Sequence, residues 1–281
     1  MIRRNNSGEV PANHAGASFI AAAFQAARDE GRAALMPYMM AGYPDRDSGL
    51  AVARAYADAG ADLIELGVPF SDPLADGPTI HSAATQALAE GATLRTALET
   101  CEAVADQVPV VLMVYVNMVL AHGGAAQFAK LASAAGAAGA IVPDLPLGEA
   151  EDVRDAFGAA GLAMVPLLAP TTSPQRRKQI CEVATGFVYV VSTVGTTGER
   201  AEVPAALADL VAAAKVDAGE TPVAVGFGIG TAAQAAEVGR IADGVIIGSR
   251  LVRAAGEGAD PAESADAVAA FLAETRVALA G

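Results

Sequence analysis

The sequence predicts an α/β fold, a single (β/α)8 TIM barrel with an extra N-terminal helix. Three observations lead there. Short β-branched runs alternate with alanine-rich helical stretches along the whole chain. Each run is apolar along most of its length, as parallel strands covered on both faces are. The 281 residues show no linker or shift in composition and suit one barrel. An open doubly wound sheet is the competing topology, because periodicity cannot count closure. Its nucleotide fingerprint is absent, since the first predicted strand ends in MMAGYPD.

Residues 1–17 are polar, with Arg3 and Arg4 followed by NNSGEVPANHAG, and are expected to form a disordered tail before a barrel domain over 18–281. No apolar segment follows the arginines as a secretory or twin-arginine signal requires. FIAAAF at 19–24 runs into Gln25, Arg28 and Asp29 and reads as the amphipathic extra helix. Strands are predicted over 34–40, 63–67, 110–115, 140–142, 164–168, 188–192, 223–226 and 244–247. Segments such as SGLAVARAYADAGAD and AAQFAKLASAAGAAG suit the helices between them.

Composition bounds the function. Hydrophobic residues make up 53%, enough for a sizeable core. No run approaches the roughly 20 apolar residues of a membrane span. VPVVLMVYVNMVLA from Val108 is too short and is interrupted by Pro109 and Asn117. A net charge of −14 argues against nucleic-acid binding and makes capture of an anion depend on local dipoles. Cys101 and Cys181 lack CxxC spacing and read as buried free thiols in a reducing cytosol, so a cytoplasmic location is expected.

The most informative run is LIELGVPFSDPLADGPTIH at 63–81. Glu65 interrupts an apolar strand, and Asp76 follows in a proline- and glycine-punctuated loop. Burial disfavours the charged carboxyl, whereas a polar loop leaves it ionised. Two carboxyls pushed apart in this way are raw material for general acid/base chemistry. The plain alternatives are a buried ion pair for Glu65 and turn formation for Asp72 and Asp76. Strand alternation puts Leu63, Glu65 and Gly67 on one side, and barrel chemistry sits at the C-terminal ends of strands. Tyr115 and Asn117, Asp144, and the GTTGE run lie at such ends, while Tyr189 falls within a strand.

Two glycine-rich turns, VGFGIGT and IIGSRLV, follow the last two predicted strands. There barrels often hold phosphate on backbone N–H groups and a short helix N-terminus. The alternative is that Gly226, Gly228 and Gly230 only shape a turn. The lysines, Lys130, Lys178 and Lys215, fall in predicted outer helices, so no Schiff base is expected inside the barrel. His14, His81 and His122 form no metal-binding pattern, and no metal is expected. Carbon–carbon cleavage without either then needs an electron sink within the substrate.

LGVPFSDPLADGPTI resembles the signature of the tryptophan synthase alpha subunit family, and further matches run from about Ala33 to the last helix. The resemblance implies cleavage of indole-3-glycerol phosphate to indole and glyceraldehyde 3-phosphate. It places the proton-shuttling glutamate on Glu65 and the aspartate that binds the indole nitrogen on Asp76. Tyr189 would support proton transfer, although a barrel-core aromatic fits it equally from sequence. Gly198, Gly228, Gly248 and Ser249 would hold phosphate, with Arg250 facing solvent. Tyr38, Leu112 and Phe227 would hold the indole ring, and Tyr115 and Asp144 would bind or communicate. GTTGER at 195–200, with Thr197, matches the family's closing lid. No cofactor is implied in this chain. The implied partner is a beta subunit carrying pyridoxal phosphate, in an α2β2 heterotetramer, with Pro69, Phe70, Pro73 and Leu74 as a docking surface. A stand-alone lyase and a non-catalytic activating subunit are the alternatives, and the second has no need of both Glu65 and Asp76.

Overall fold

Apolar, β-branched segments pair in parallel into one curled sheet. The computed structural model describes residues 15–121, 123–191, 205–226 and 228–281. The strands are β1 (Ala34–Met40), β2 (Ile64–Gly67), β3 (Val110–Met113), β4 (Gly139–Ile141), β5 (Ala163–Met164), β6 (Leu167–Leu168), β7 (Val188–Val191), β8 (Val223–Gly226) and β9 (Gly244–Ile247). The first helices are α1 (Ala15–Asp29), α2 (Arg46–Asp58), α3 (Pro78–Ala89), α4 (Leu94–Glu102), α5 (Val116–Ala121) and α6 (Ala125–Ala134). Those after β4 are α7 (Glu151–Ala159), α8 (Pro174–Glu182), α9 (Ala205–Ala218), α10 (Ala232–Gly239), α11 (Ser249–Glu257) and α12 (Pro261–Leu279).

Neighbours run β5-β4-β3-β2-β1-β9-β8-β7-β6. The two ends of that order are halves of one chain segment, so the sheet closes. Val165 N–H donates to the Ala140 carbonyl (2.9 Å), and Tyr189 N–H donates to the Pro166 carbonyl (3.0 Å). This corrects the continuous strand expected over 164–168. Pro166 has no N–H to give, and the ladder changes partner there, from β4 to β7. The third strand also stops early, at Met113 rather than at 115. The Asp144 carboxylate accepts the Val116 N–H (2.8 Å) and caps the start of α5.

Strand alternation divides the core into two layers. Ala34, Met36, Leu63, Val111, Ile141, Tyr189 and Ile246 pack inside the barrel. Leu35, Ile64, Leu66, Leu112, Val190 and Val245 pack outward against the helices. The N-terminal mouth is stoppered by α1, whose buried Ile20, Phe24 and Ala27 join the interior layer. Phe24 lies 5.7 Å from Phe187, which lies 6.4 Å from Tyr189, in a column of rings rising through the interior. The helix takes in residues 15–17, which the sequence assigns to the tail, because Gly16 seats on the barrel. Its N–H donates to the Gly161 carbonyl (2.9 Å), and a Cβ there would fall 1.9 Å from the Ala138 carbonyl oxygen. Residues 1–14 lie outside the described residues.

Phe24→Ala should therefore destabilise the whole barrel, not α1 alone. Loss of a buried phenylalanine costs about 3–5 kcal/mol. A lowered denaturant midpoint across the full unfolding transition checks it; local fraying of α1 with an unchanged midpoint would contradict it.

Candidate active site

Among the described residues Glu65 is the only acid in a strand, and the barrel keeps it from water. It is 2% exposed, and its Oε2 has no hydrogen-bond partner among the described residues. Among the described residues no cation acts on it, so the ion-pair alternative finds no partner there. Burial, reinforced by the negative charge of Asp76, pushes its carboxyl from the ordinary 4.5 up to about 8. At neutral pH Glu65 is a protonated acid facing the barrel interior.

Asp76 stands in the loop between β2 and α3 and is half-buried. The loop does not leave it in a solvated setting, as the sequence had suggested. Burial raises its carboxyl, opposed by a hydrogen bond from Tyr115 and by the nearby charge of His81. The shift is upward for both acids, and the large one is on Glu65. The contrast between them survives in size but not in sign. Tyr115 Oη donates to Asp76 Oδ1 (3.1 Å) and accepts the Ala75 N–H (3.0 Å). Its ring stacks on Phe70 at 5.2 Å. His81, on the first turn of α3, was missed as part of this setting because its sequence neighbours gave no metal or base pattern.

Tyr38 and Tyr189 enter from β1 and β7, each over a glycine of the neighbouring strand. A Cβ on Gly67 would fall 2.2 Å from Tyr38 Oη, and one on Gly226 would fall 2.5 Å from Tyr189 Oη. Only glycine leaves room for these phenols. Both are buried, and burial raises both well above the ordinary tyrosine range. Asp76, Glu65, Tyr115 and Tyr189 add to the rise at Tyr38, and Glu65 adds to that at Tyr189. Two acids and three phenols thus share one interior.

Beside them lies an anion-receptive end. Gly248 precedes α11 as an N-cap without a side-chain hydrogen bond, and Ser249, 6% exposed, begins the helix. Uncapped N–H groups and the helix dipole favour negative charge there. Gly248 adjoins Tyr38, since a Cβ on it would lie 3.8 Å from the tyrosine Cβ. Gly228 adopts φ +74°, a left-handed turn that glycine permits. The Gly230 N–H is already taken by Gln234 Oε1 (2.8 Å). Arg250 turns away, its guanidinium 5.0 Å from the Phe271 ring centroid.

One placement is corrected. Leu112 is fully buried in the outer layer, between sheet and helices, and does not line the mouth. Met113 is the β3 residue that packs with the interior groups, in register with Gly67. Parity held the signal: Glu65 pairs with Val111, so the inward series continues to Met113. Asp144 serves as the cap of α5 described above. Thr197, Gly198 and Phe227, with the rest of the 195–200 run, lie outside the described residues. Among the described residues no group of His, Cys, Asp and Glu side chains could hold a metal ion.

This arrangement can deliver a proton from a buried acid, accept a hydrogen bond at a second carboxylate and seat an anion on backbone dipoles. The sequence profile described as "Tryptophan synthase alpha chain" matches residues 24–279. A tryptophan synthase alpha chain of Chloroflexus aurantiacus is 45% identical over 94% of this chain and 99% of its own length. A tryptophan synthase of Saccharomyces cerevisiae is 42% identical over 83% of this chain but only 33% of that longer protein. A structure of Mycobacterium tuberculosis tryptophan synthase superposes with a TM-score of 0.85 at 38% identity, covering 92% of this chain and 97% of that one.

The Glu65 carboxyl also predicts how stability depends on pH. Between 4.5 and about 8 the folded chain holds a proton that the unfolded chain has released. The contribution of Glu65 to stability is therefore full below 4.5 and is lost as pH rises to about 8, with a limiting slope of about 1.4 kcal/mol per pH unit. Glu65→Gln should flatten this fall and be the more stable form at alkaline pH. Denaturant midpoints measured across the range check it; parallel slopes in the two proteins would contradict it.

Proposed function

The chain belongs to the tryptophan synthase alpha chain family, and on that premise we propose that it cleaves indole-3-glycerol phosphate to indole and glyceraldehyde 3-phosphate. The observation that carries this reading is the buried Glu65 carboxyl, its Oε2 without a partner among the described residues, beside the half-buried Asp76. Protonated Glu65 delivers its proton to indole C3, which becomes tetrahedral. Ionised Asp76 accepts the indole N–H and stabilises the positive charge on the ring. The Glu65 carboxylate then takes the proton of the C3′ hydroxyl, with Tyr189 supporting that transfer. The bond between C3 and C3′ breaks, its electrons return to the ring, and the aldehyde forms at C3′. Glu65 ends protonated, so the cycle closes without an external acid.

Gly228, Gly248 and Ser249 hold the substrate phosphate in this reading, with Gly198. The dipole of α11 lets a chain of net charge −14 bind an anion without committing a cation. Tyr38, Tyr115 and Met113 enclose the indole; the family resemblance adds Phe227 and Thr197, which lie outside the described residues.

A beta subunit is the family's partner, and we place this chain with one in an α2β2 assembly in the cytoplasm, with pyridoxal phosphate in the beta subunit. Leu74, 91% exposed at the tip of the Asp76 loop, supports docking there with Pro73 and half-buried Phe70. Pro69 is buried at the strand end and is not part of that surface. Among the described residues no helix is long and apolar enough to cross a membrane.

Purified chain incubated with indole-3-glycerol phosphate, with and without a beta subunit, tests the reading. Indole should form slowly alone and faster with the partner; high partner-independent activity would instead mark a stand-alone lyase. Glu65→Gln should lose cleavage by about 10⁴-fold while still binding substrate. Activity within about tenfold of the unaltered chain would remove Glu65 from the reaction.

A further inference from the structure

Asp76 sits on a loop, and loops are poor platforms for a carboxylate that must meet a ring nitrogen with fixed geometry. The described loop has little internal support: the Asp76 N–H reaches the Pro73 carbonyl at 3.3 Å, and Leu74 projects into solvent. The support comes from another strand. Tyr115, just beyond the end of β3, is 4% exposed and touches the loop at three places. Its hydroxyl donates to Asp76 Oδ1 (3.1 Å) and accepts the Ala75 N–H (3.0 Å), and its ring stacks on Phe70 at an interplanar angle of 30°. The backbone behind it is fixed in turn, because the next residue donates its N–H to Asp144 Oδ1.

We propose that Tyr115 is the positioning residue of Asp76: its phenol pins Oδ1, so that Oδ2 is presented to the substrate's ring N–H. This rests on the indole-3-glycerol phosphate reading and extends it. A phenol spends its one proton on a single acceptor, so the pair orients the carboxylate as well as holding it. The accepted Ala75 N–H polarises that phenol and strengthens the bond it donates. The same hydrogen bond favours the ionised form of Asp76, against its burial. Among the described residues, the other groups facing Asp76 are Tyr38 from β1, Glu65 from β2 and His81 from α3. Of these only His81 also lowers the Asp76 carboxyl, and it is exposed. Tyr115 is thus the buried group that keeps Asp76 ready.

Tyr115→Phe keeps the ring and its stack on Phe70 and removes both hydrogen bonds. The expected result is a kcat loss of roughly tenfold, with a smaller change in KM, because the bond matters most as charge develops on the ring. The acid limb of the kcat/KM profile should move to higher pH. A fluorotyrosine placed only at 115 is a stronger donor of nearly the same shape and should move that limb to lower pH; it serves even if Tyr115→Phe fails to fold. In an Asp76→Asn background, Tyr115→Phe should cost much less than in the unaltered chain. Carbon-13 NMR of the Asp76 carboxyl in the full chain without substrate should show the same opposite movements. An unmoved limb and unmoved NMR titration in both proteins, or an undiminished penalty in the Asn background, would overturn the proposal. If the unaltered chain cleaves nothing but the NMR titrations move as stated, the reaction has been misassigned and the positioning of Asp76 stands.

Discussion

The burial of one carboxyl, that of Glu65, is the constraint on which the rest of this structure depends. An acid 2% exposed with an unpartnered oxygen is costly to fold around. It is held because the scaffold gives it nowhere else to go. Ile64 and Leu66 fix the pleat of β2 by packing outward, so Glu65 must point in. The sheet closes through the broken strand around Pro166, and α1 seals the far mouth with Ile20 and Phe24. Little water reaches the acid, and the carboxyl answers by keeping its proton. A cost in stability becomes a proton donor at neutral pH.

The same interior handles charge without using cations. The described basic groups near it are few: His81 faces Asp76, and Arg250 lies over Phe271. Phenols and helix N–H groups do the polar work instead. Tyr115 steadies one acid from the strand side, Tyr38 and Tyr189 crowd the other over glycines, and the uncapped start of α11 stands next to Tyr38. Such dipoles attract an anion or an incipient charge without neutralising the buried acid, as a lysine would. In this way a strongly acidic chain can present an end that receives an anion.

Much of this was legible in the sequence where local pattern decides. The strands at 34–40, 223–226 and 244–247 stand at the predicted limits, because each is apolar throughout and bounded by turn residues. The inward face of Glu65 followed from alternation. What failed depended on distant partners. The strand at 164–168 breaks because Pro166 sits where the ladder changes neighbour, and no local signal records which neighbour that is. Asp76 read as solvated because its loop is polar, yet Tyr115, 39 residues on, covers it. Leu112 was placed by its apolar character when its parity with Val111 pointed outward.

The central claim is that Glu65 is a neutral acid in the resting site at physiological pH. Infrared difference spectra between the unaltered chain and Glu65→Gln, taken as pH is raised, address it directly. The account predicts a protonated-carboxyl C=O band at neutral pH that disappears with a midpoint near 8. A carboxylate band already fully developed below neutral pH would contradict it, and with it the role of Glu65 as the proton donor.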